Sequence, residues 1–199
     1  MAVTSKGNST QQRRKVMLRG FGDVMFDRYA GDNKTALRVE EKMYFAQDGK
    51  TLVLPALNLT SFLCAQNTPS AVKRFMDPRK YKPVAQAILS YTSISPQLIP
   101  LTRDGKPIVF NGFRDDEDKK AGIYVHRSVA RLDKGIPNPK ERPVVRAPWE
   151  LRFDLMMWPN SEVNESMIRT FFIDGGIAIG LGTFRGVFGK FEVAEWADG

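Results

Sequence analysis

The sequence predicts one domain of the α+β class, in which an antiparallel sheet carries helices on one face. Two stretches of the C-terminal half predict it. In residues 149–158, WELRFDLMMW, apolar side chains alternate with charged ones, which is the period of a strand with one buried face. After a Pro-Asn-Ser turn, apolar residues recur at helical spacing from Val163 to Phe172. With 199 residues, of which 42% are hydrophobic, the chain can bury one core and is short for two domains.

The N-terminal residues predict an arm followed by the first strand. Residues 1–12 are small, polar and in part basic, so we expect a flexible basic arm. The predicted single domain covers residues 13–199, and KVMLRGFG at 15–22 is its first strand. No run of 18 or more apolar residues is present, and we therefore expect no membrane partner.

Turn residues and apolar spacing predict the elements of the middle of the chain. Asp48-Gly49 indicates a hairpin between two apolar-rich runs, and Asp104-Gly105 indicates a second one. Between these hairpins, ALNLTSFLCAQN and KPVAQAILSYT have the apolar spacing of helices. We therefore expect a helical insertion around residues 55–95.

The elements of the C-terminal half complete the order. We expect the helix that starts near Val163 to end at Gly175 and Gly176, and VFGKFEVAEW to form the last strand. GIYVHRSVARL, residues 122–132, is expected to pair with 147–158. The resulting order is that of a ferredoxin-like or RRM-like antiparallel sheet, with helices on one face and a long basic hairpin carrying Arg131 to Arg146 between central strands.

The positive charge of the chain is concentrated in a few segments. The formal net charge is +8, and residues 119–146 alone hold eight basic and two acidic residues. Such clustering favours a polyanion partner, because each neutralised phosphate releases counterions. Solubility or an acidic protein partner are the alternatives.

Two basic segments hold the candidate nucleic-acid contacts. KRFMDPRKYK, residues 73–82, places cations around Phe75 and Tyr81, which is typical of a platform for single strands. The alternative is that Phe75 belongs to the core. The candidate contacts are Lys73, Arg74, Arg79, Lys80 and Lys82 in this segment, and Arg127, Arg131, Lys134, Lys140, Arg142 and Arg146 in the hairpin.

The sequence offers no convincing catalytic set, and we expect neither a metal nor a cofactor. His126 is the only histidine; it is either a general base for RNA cleavage or an ordinary hairpin residue, and we favour the second. The acidic run at 114–120 suits a solvated loop better than a metal site. Gly180 and Gly182 do not make a dinucleotide fingerprint, because Arg185 stands where the third glycine is needed.

The glycines near the C-terminus require a separate explanation. Residues 175–189 contain six glycines, which serve a difficult turn or the close approach of a phosphate or another chain. The ending has the form GxGxxRxxxGxF, with Gly180, Gly182, Arg185, Gly189 and Phe191, and it follows a helix and a basic hairpin. This pattern resembles the glycine-rich signature of the RAMP superfamily, the RRM-fold proteins of CRISPR systems. The likeness covers residues 120–195, with a weaker match at 18–29.

The resemblance implies a function and a site. It is closest to the backbone subunit that polymerises along guide RNA, and a stand-alone phage-encoded relative is also implied. Gly180, Gly182 and Arg185 would then lie against the sheet or the RNA backbone, and the hairpin at 131–146 would insert between nucleotides. We expect a cytoplasmic protein that binds single-stranded RNA or DNA without catalysis, as a homo-oligomer or in a multi-subunit ribonucleoprotein. The alternatives are a RAMP-type endoribonuclease that uses His126 and a phage structural or assembly protein.

Overall fold

The structure is a computed structural model, and it describes residues 11–32, 34–64, 72–113, 122–131 and 137–199, without the side chains of 130, 131 and 137. Three of the features expected from the sequence therefore lie outside the described residues. They are residues 1–10 of the predicted arm at 1–12, the acidic run at 114–120 and the candidate contact Lys134. The side chain of Arg131 lies outside as well.

The described chain alternates strands with helices. In chain order its elements are β1 (Gln12–Gly20), β2 (Val24–Met25), β3 (Val53–Pro55), α1 (Ala56–Cys64), α2 (Pro78–Tyr91), β4 (Thr92–Ser95), β5 (Leu98–Arg103), β6 (Lys106–Pro107), β7 (Ile123–Arg131), β8 (Pro137–Val145), β9 (Trp149–Met157), α3 (Glu165–Ala178) and β10 (Phe191–Asp198). The two helices α1 and α2 fall within the helical insertion that the sequence predicts around 55–95.

The principal sheet has the strand order of the predicted fold. Its order is β10-β1-β9-β5-β3, with β4 also on β9, and β1 is antiparallel to both of its neighbours. The first β-α-β unit runs from β1 through α1 and α2 to β4 and β5, and the second runs from β9 through α3 to β10. The two units are split β-α-β units, and their strands interleave in this sheet. The expectation of an α+β, ferredoxin-like or RRM-like fold is confirmed.

An aromatic cluster attaches the helices to one face of the sheet. The ring of Phe172 on α3 lies 5.7 Å from Phe62 on α1, 6.0 Å from Phe153 on β9 and 6.2 Å from Trp196 on β10. Every second residue of β9 from Trp149 is buried, as its alternating sequence predicts. The helix face of the sheet is therefore the core, and the other face stays open.

A second, smaller sheet corrects one predicted pairing. Residues 122–132 do not pair with 147–158; β7 pairs with β8 from Ile123↔Val145 to Arg131↔Pro137, and β2 adds to β8. The edge of β9 is already occupied, because β4 and β5 pair with it. The long basic hairpin exists as β7 and β8, but it stands outside the principal sheet.

The end of α3 also differs from the expectation. Gly175 and Gly176 do not stop this helix, which continues to Ala178. A Cβ at Gly175 would overlap the Phe62 ring, and one at Gly176 would overlap the main chain and ring of Phe191. These two glycines allow close packing of the helix, and the helix ends before Gly180, whose φ of +86° lies in the left-handed region.

The two predicted hairpin turns are present. Asp104 and Gly105, at φ of +50° and +74°, join β5 to β6. Around Asp48-Gly49 the pairing is short, with Ala46 N–H donating to the Thr51 carbonyl at 2.9 Å. The strand that the sequence suggested before this turn is replaced at Glu40–Lys42 by a short 3-10 turn.

Candidate nucleic-acid interface

The glycine-rich loop, residues 179–190, folds back on the turn between β1 and β2. Thr183 N–H donates to the Met25 carbonyl at 2.9 Å, and Gly189 N–H donates to the Asp23 carbonyl at 2.7 Å. At the end of the loop, the Lys190 carbonyl accepts a hydrogen bond from Phe21 N–H at 3.0 Å. Main-chain hydrogen bonds thus hold the loop to β2 and to the turn that precedes it.

Packing within the chain explains several of the loop glycines. Gly182 has a φ of +76°, and a Cβ there would overlap the Met25 carbonyl oxygen. Gly180, at a φ of +86°, faces the main chain of Phe188 and Gly189, and Gly189, at +74°, faces the main chain of Leu181. Gly186 differs, because a Cβ there would meet nothing within 4 Å. Contact of Gly180 and Gly182 with nucleic acid stays a prediction, and their turn geometry is a sufficient reason for glycine.

The side chain of Arg185 stabilises the glycine-rich loop through a hydrogen bond within the loop. Its Nε donates to the Gly182 carbonyl at 3.1 Å, and burial lowers the pKa of its guanidinium below the usual value. The neighbouring Phe184 points outward, with 56% of its surface exposed at a φ of +52°. A bulky residue at positive φ is an outlier, and such outliers concentrate at functional sites.

The exposed ring begins a row of aromatic side chains. Phe184 lies 5.9 Å from Phe188, and Phe188 lies 5.4 Å from the half-buried ring of His126 on β7. The register of β7 with β8 puts Lys140 on the same side as His126. We call this region the loop surface; its members are Phe184, Phe188, His126, Lys140 and Arg146.

Asp23 connects the loop surface to the small sheet. Its carboxylate accepts hydrogen bonds from Tyr124 Oη at 3.0 Å and from Ala147 N–H at 2.9 Å. Burial, and then the hydrogen bond to this carboxylate, raise the pKa of Tyr124 to about 12. The guanidinium of Arg146 lies 4.5 Å over the Tyr124 ring. Asp23 therefore holds the loop through its main-chain carbonyl and the base of the hairpin through its carboxylate.

The hairpin cations differ in their surroundings. Arg142 Nε donates to Asp27 at 2.7 Å, and the two side chains are 17% and 28% exposed. Arg127 pairs with Glu141 at 2.9 Å, and both of these side chains are exposed. Half-buried Lys140 and Arg146 share one side of the hairpin with Arg142. The ion pairs make Arg142 and Arg127 weaker candidates for phosphate contact than their sequence positions suggest.

In the first basic segment, residues 73–82, most side chains are exposed and the ring of Tyr81 is buried. Arg79, Lys80 and Lys82 on α2 are exposed, and Arg74 lies 5.7 Å over the Phe75 ring. Phe75 is 41% exposed, so the alternative that it belongs to the core is wrong. Tyr81 is buried instead, with the Lys73 ammonium 5.0 Å from its ring. Phe75 is thus the aromatic of this segment that can stack on a base.

The fold brings this segment to the end of the glycine-rich loop. Val72 packs at the C-terminal end of α3, where a Cβ at Gly175 would lie 3.1 Å from its side chain. Burial, and then the nearby charge of Arg74, lower the pKa of Lys190. Sequence reasoning did not name Lys190, Phe184 and Phe21 as candidate site residues. The available signal was their position inside or beside the two glycine-containing motifs that carried the resemblance.

The open face of the principal sheet has a different character. Charged side chains of β1, β9 and β10 form ion pairs there: Arg13 with Asp154 at 2.7 Å, Arg152 with Glu195 at 3.2 Å, and Arg19 with Glu150 at 3.6 Å. β1 and β9 contribute no aromatic side chain to this face. RRM proteins that bind RNA on their sheet stack bases on aromatic residues. This face lacks those residues.

Other kinds of site find little support in the described part of the chain. No group of three or more His, Cys, Asp or Glu residues there could hold a metal ion. None of the helices in the same residues is long and apolar enough to cross a membrane. Cys64 is buried, which raises the pKa of its thiol to about 12 and disfavours a reactive thiolate.

Comparison with known proteins bears on the fold. No protein-family model matches the sequence, and no curated protein matches it. A chain of the cryo-EM structure of Type III-B Cmr-beta bound to cognate target RNA is similar in structure, with a TM-score of 0.58 and 12% identity. The match covers 94% of this chain and 61% of that chain, so the present chain spans about three-fifths of its length. At this identity the likeness shows the fold alone, and it agrees with the α+β sheet described above.

Proposed function

We propose that this chain binds single-stranded nucleic acid, RNA in preference to DNA, and does not cleave it. The bound strand runs over the loop surface and the hairpin, and copies of the chain assemble along it within a cytoplasmic ribonucleoprotein of the CRISPR type. The candidate contacts are those named from the sequence, to which the structure adds Phe184.

The observation that carries the proposal is a row of aromatic rings, exposed at Phe184, that lies beside cations. Phe184 is exposed by 56%, and its ring leads through Phe188 to His126 while Lys140 and Arg146 flank the row. Rings on which bases stack, next to cations that neutralise phosphates, are what binding of single strands requires. The aromatic-free, ion-paired open face offers no comparable platform.

Two further findings support the proposal. The glycine-rich ending resembles that of RAMP proteins, and its loop is hydrogen-bonded to the turn that follows the first strand of a ferredoxin-like or RRM-like sheet. The structurally similar chain belongs to a complex that was solved bound to target RNA. RNA as the ligand and a multi-subunit complex as the setting are inferred from that protein.

A binding titration tests the proposal. Fluorescence anisotropy of a labelled single-stranded RNA of about 20 nucleotides is compared with the DNA of the same sequence across a salt series. We expect binding that weakens as salt rises, with RNA bound more tightly. Lys140→Gln should reduce the affinity and the salt slope, whereas Lys15→Gln, on the open face, should change neither. Absence of binding at low salt would contradict the proposal.

The catalytic alternative has a separate test. His126 packs its ring against Phe188 and sits opposite Arg142 in the strand register, which are contacts of a stacking or structural residue. We therefore expect structured and single-stranded RNA to stay intact during long incubation with the protein. Cleavage that disappears in His126→Ala would identify an endoribonuclease instead.

A further inference from the structure

We propose that Arg74 and Lys190, together with the exposed ring of Phe21, form a second nucleotide subsite that binds one phosphate and stacks one base of the same single strand. This inference rests on the proposed function and extends its site from the loop surface to the helix side of the glycine-rich loop. Lys190 and Phe21 belong to neither of the basic segments that the sequence singles out.

Main-chain contacts bring the subsite residues together. The carbonyl of Lys190 accepts hydrogen bonds from Phe21 N–H at 3.0 Å and Gly22 N–H at 3.1 Å. A Cβ at Gly22 would lie 3.0 Å from the Lys190 Cβ, so the two segments are in close contact. The 3-10 turn Val72–Phe75, which carries Arg74, packs against Gly175 of α3, and the next helix residue, Gly176, packs against Phe191, which follows Lys190 in the chain. Three separate parts of the sequence are thus neighbours at the end of the loop.

The electrostatics of this point favour an anion. Lys190 is half-buried, and the charge of Arg74 adds to burial in lowering the pKa of its ammonium group. Within the described residues, neither cation makes an ion pair with a carboxylate; the guanidinium of Arg74 lies over the Phe75 ring at 5.7 Å. Two cations held close together raise the free energy of the folded protein, and a bound phosphate relieves that repulsion.

The aromatic component selects a nucleotide over a simple anion. Phe21 is 58% exposed although it begins the turn after a buried strand, and Phe75 beside Arg74 is 41% exposed. A ring next to a phosphate-binding cation provides stacking for a base of any identity. Lys190 is the last residue of the loop that also presents Phe184, so one strand can contact both places along that loop.

Charge-neutralising variants test the phosphate part. Lys190→Gln and Arg74→Gln should each weaken binding of the single-stranded RNA about tenfold at moderate salt, and should reduce the magnitude of the salt slope by about 0.7. Lys15→Gln removes the same charge from the opposite sheet face and should leave both quantities unchanged. Lys190→Arg keeps the charge and should restore binding. Thermal melting of each variant verifies that it is folded.

The outcomes separate this inference from the proposed function. If the wild-type protein does not bind single strands, the proposed function fails. If it binds, and Lys190→Gln is folded with wild-type affinity and salt slope, only the subsite is wrong. An equal loss in Lys15→Gln would show a general effect of charge and would also overturn the subsite.

An abasic strand tests the stacking part. Phe21→Ala should weaken binding of the RNA about tenfold and should leave binding of an abasic strand of equal length unchanged, because that strand keeps the phosphates and lacks the bases. Equal weakening for both strands would show that Phe21 supports the fold of the turn and does not stack on a base.

Discussion

The open face of the principal sheet and the region around the glycine-rich loop both carry arginine and lysine, and they differ in what those cations contact. On the open face, Arg13 and Arg152 reach carboxylates on other strands of the sheet at 2.7 and 3.2 Å. Near the end of the loop, Arg74 lies over a phenylalanine ring, and its charge helps to lower the pKa of Lys190. An ion pair within the chain consumes the charge that a phosphate would need, whereas a cation over a ring keeps it.

The comparison teaches that net charge along the sequence is a coarse guide to a binding surface. Arg142 belongs to the most basic segment, yet Asp27 neutralises it at 2.7 Å from a distant part of the chain. Lys190 stands outside both basic segments and becomes part of a cationic cluster through folding. The following experiments test whether the two surfaces differ in this way, and the experiment with the strongest expected effect comes first.

Substitution of Gly182 should have the largest effect, because it removes the support of the loop surface. Gly182→Val places a branched side chain at a φ of +76° and against the Met25 carbonyl. We expect a loss of about 3 kcal/mol or more of unfolding free energy, measured by denaturant titration. Gly186→Ala, at a φ of +96° in open space, is the matched control and should lose about 1 kcal/mol. Equal losses would contradict the packing role of Gly182.

Removal of the exposed ring should separate binding from stability. Phe184→Ala should weaken binding of single-stranded RNA about tenfold or more, because stacking on one ring contributes about 1 to 3 kcal/mol. Its melting temperature should change little, since more than half of the side chain is exposed. Isothermal titration and thermal melting measure the two quantities. Wild-type affinity in this variant would remove Phe184 from the interface.

An acidic pH should weaken the contact between β1, α3 and β10 that Glu165 makes with Arg14 and Trp196. Glu165 accepts hydrogen bonds from Arg14 at 2.6 and 2.7 Å and from Trp196 at 2.8 Å, and mainly the arginine holds the pKa of Glu165 below its usual value. A carboxylate with a lowered folded-state pKa stabilises the fold above its unfolded pKa, and that contribution is lost as the pH falls through the folded value.

The change should therefore appear as the pH falls below about 4.5, the ordinary value for a glutamate. Glu165→Gln should reduce the pH dependence of the melting temperature in this range, with the neutral-pH value lowered slightly. An unchanged pH profile in the variant would show that Arg14 and Glu165 contribute nothing measurable to stability.

Neutralisation of the open face should have the smallest effect. Arg152→Gln removes the ion pair with Glu195, and both side chains are roughly half-exposed. Such pairs contribute little, so we expect a change within about 0.5 kcal/mol in stability and wild-type affinity for single strands. A loss of affinity comparable to that of Lys190→Gln would place the bound nucleic acid on the open face and would contradict the difference between the two surfaces.

Much of the local structure follows from the sequence. The alternation in WELRFDLMMW gives β9, the spacing from Val163 gives the helix α3, and Asp104-Gly105 gives the turn between β5 and β6. These features depend on neighbouring residues, since periodicity and turn conformation are properties of short segments. The fold class follows as well, because the order of such segments restricts the possible sheets.

The tertiary structure decided the pairings and the roles that depend on them. Residues 122–132 form a strand as expected, but their partner is β8, because β4 and β5 already occupy the edge of β9. Gly175 and Gly176 have the composition of a helix end, and only contact with Phe62 and Phe191 shows that they are packing positions inside a helix. Contacts between distant segments fix both results, and no local pattern contains that information.

For the candidate interface, too, one part follows from the sequence and another part depends on the tertiary structure. The sequence by itself determined that the chain is basic in two segments, that its glycines cluster near the C-terminus and that Phe75 stands among cations. Only the tertiary structure decided that Tyr81 is buried, that Arg142 is neutralised and that Arg74 meets Lys190. The physical reason is that composition sets how much charge a segment carries, whereas the availability of that charge depends on partners that folding brings from far along the chain.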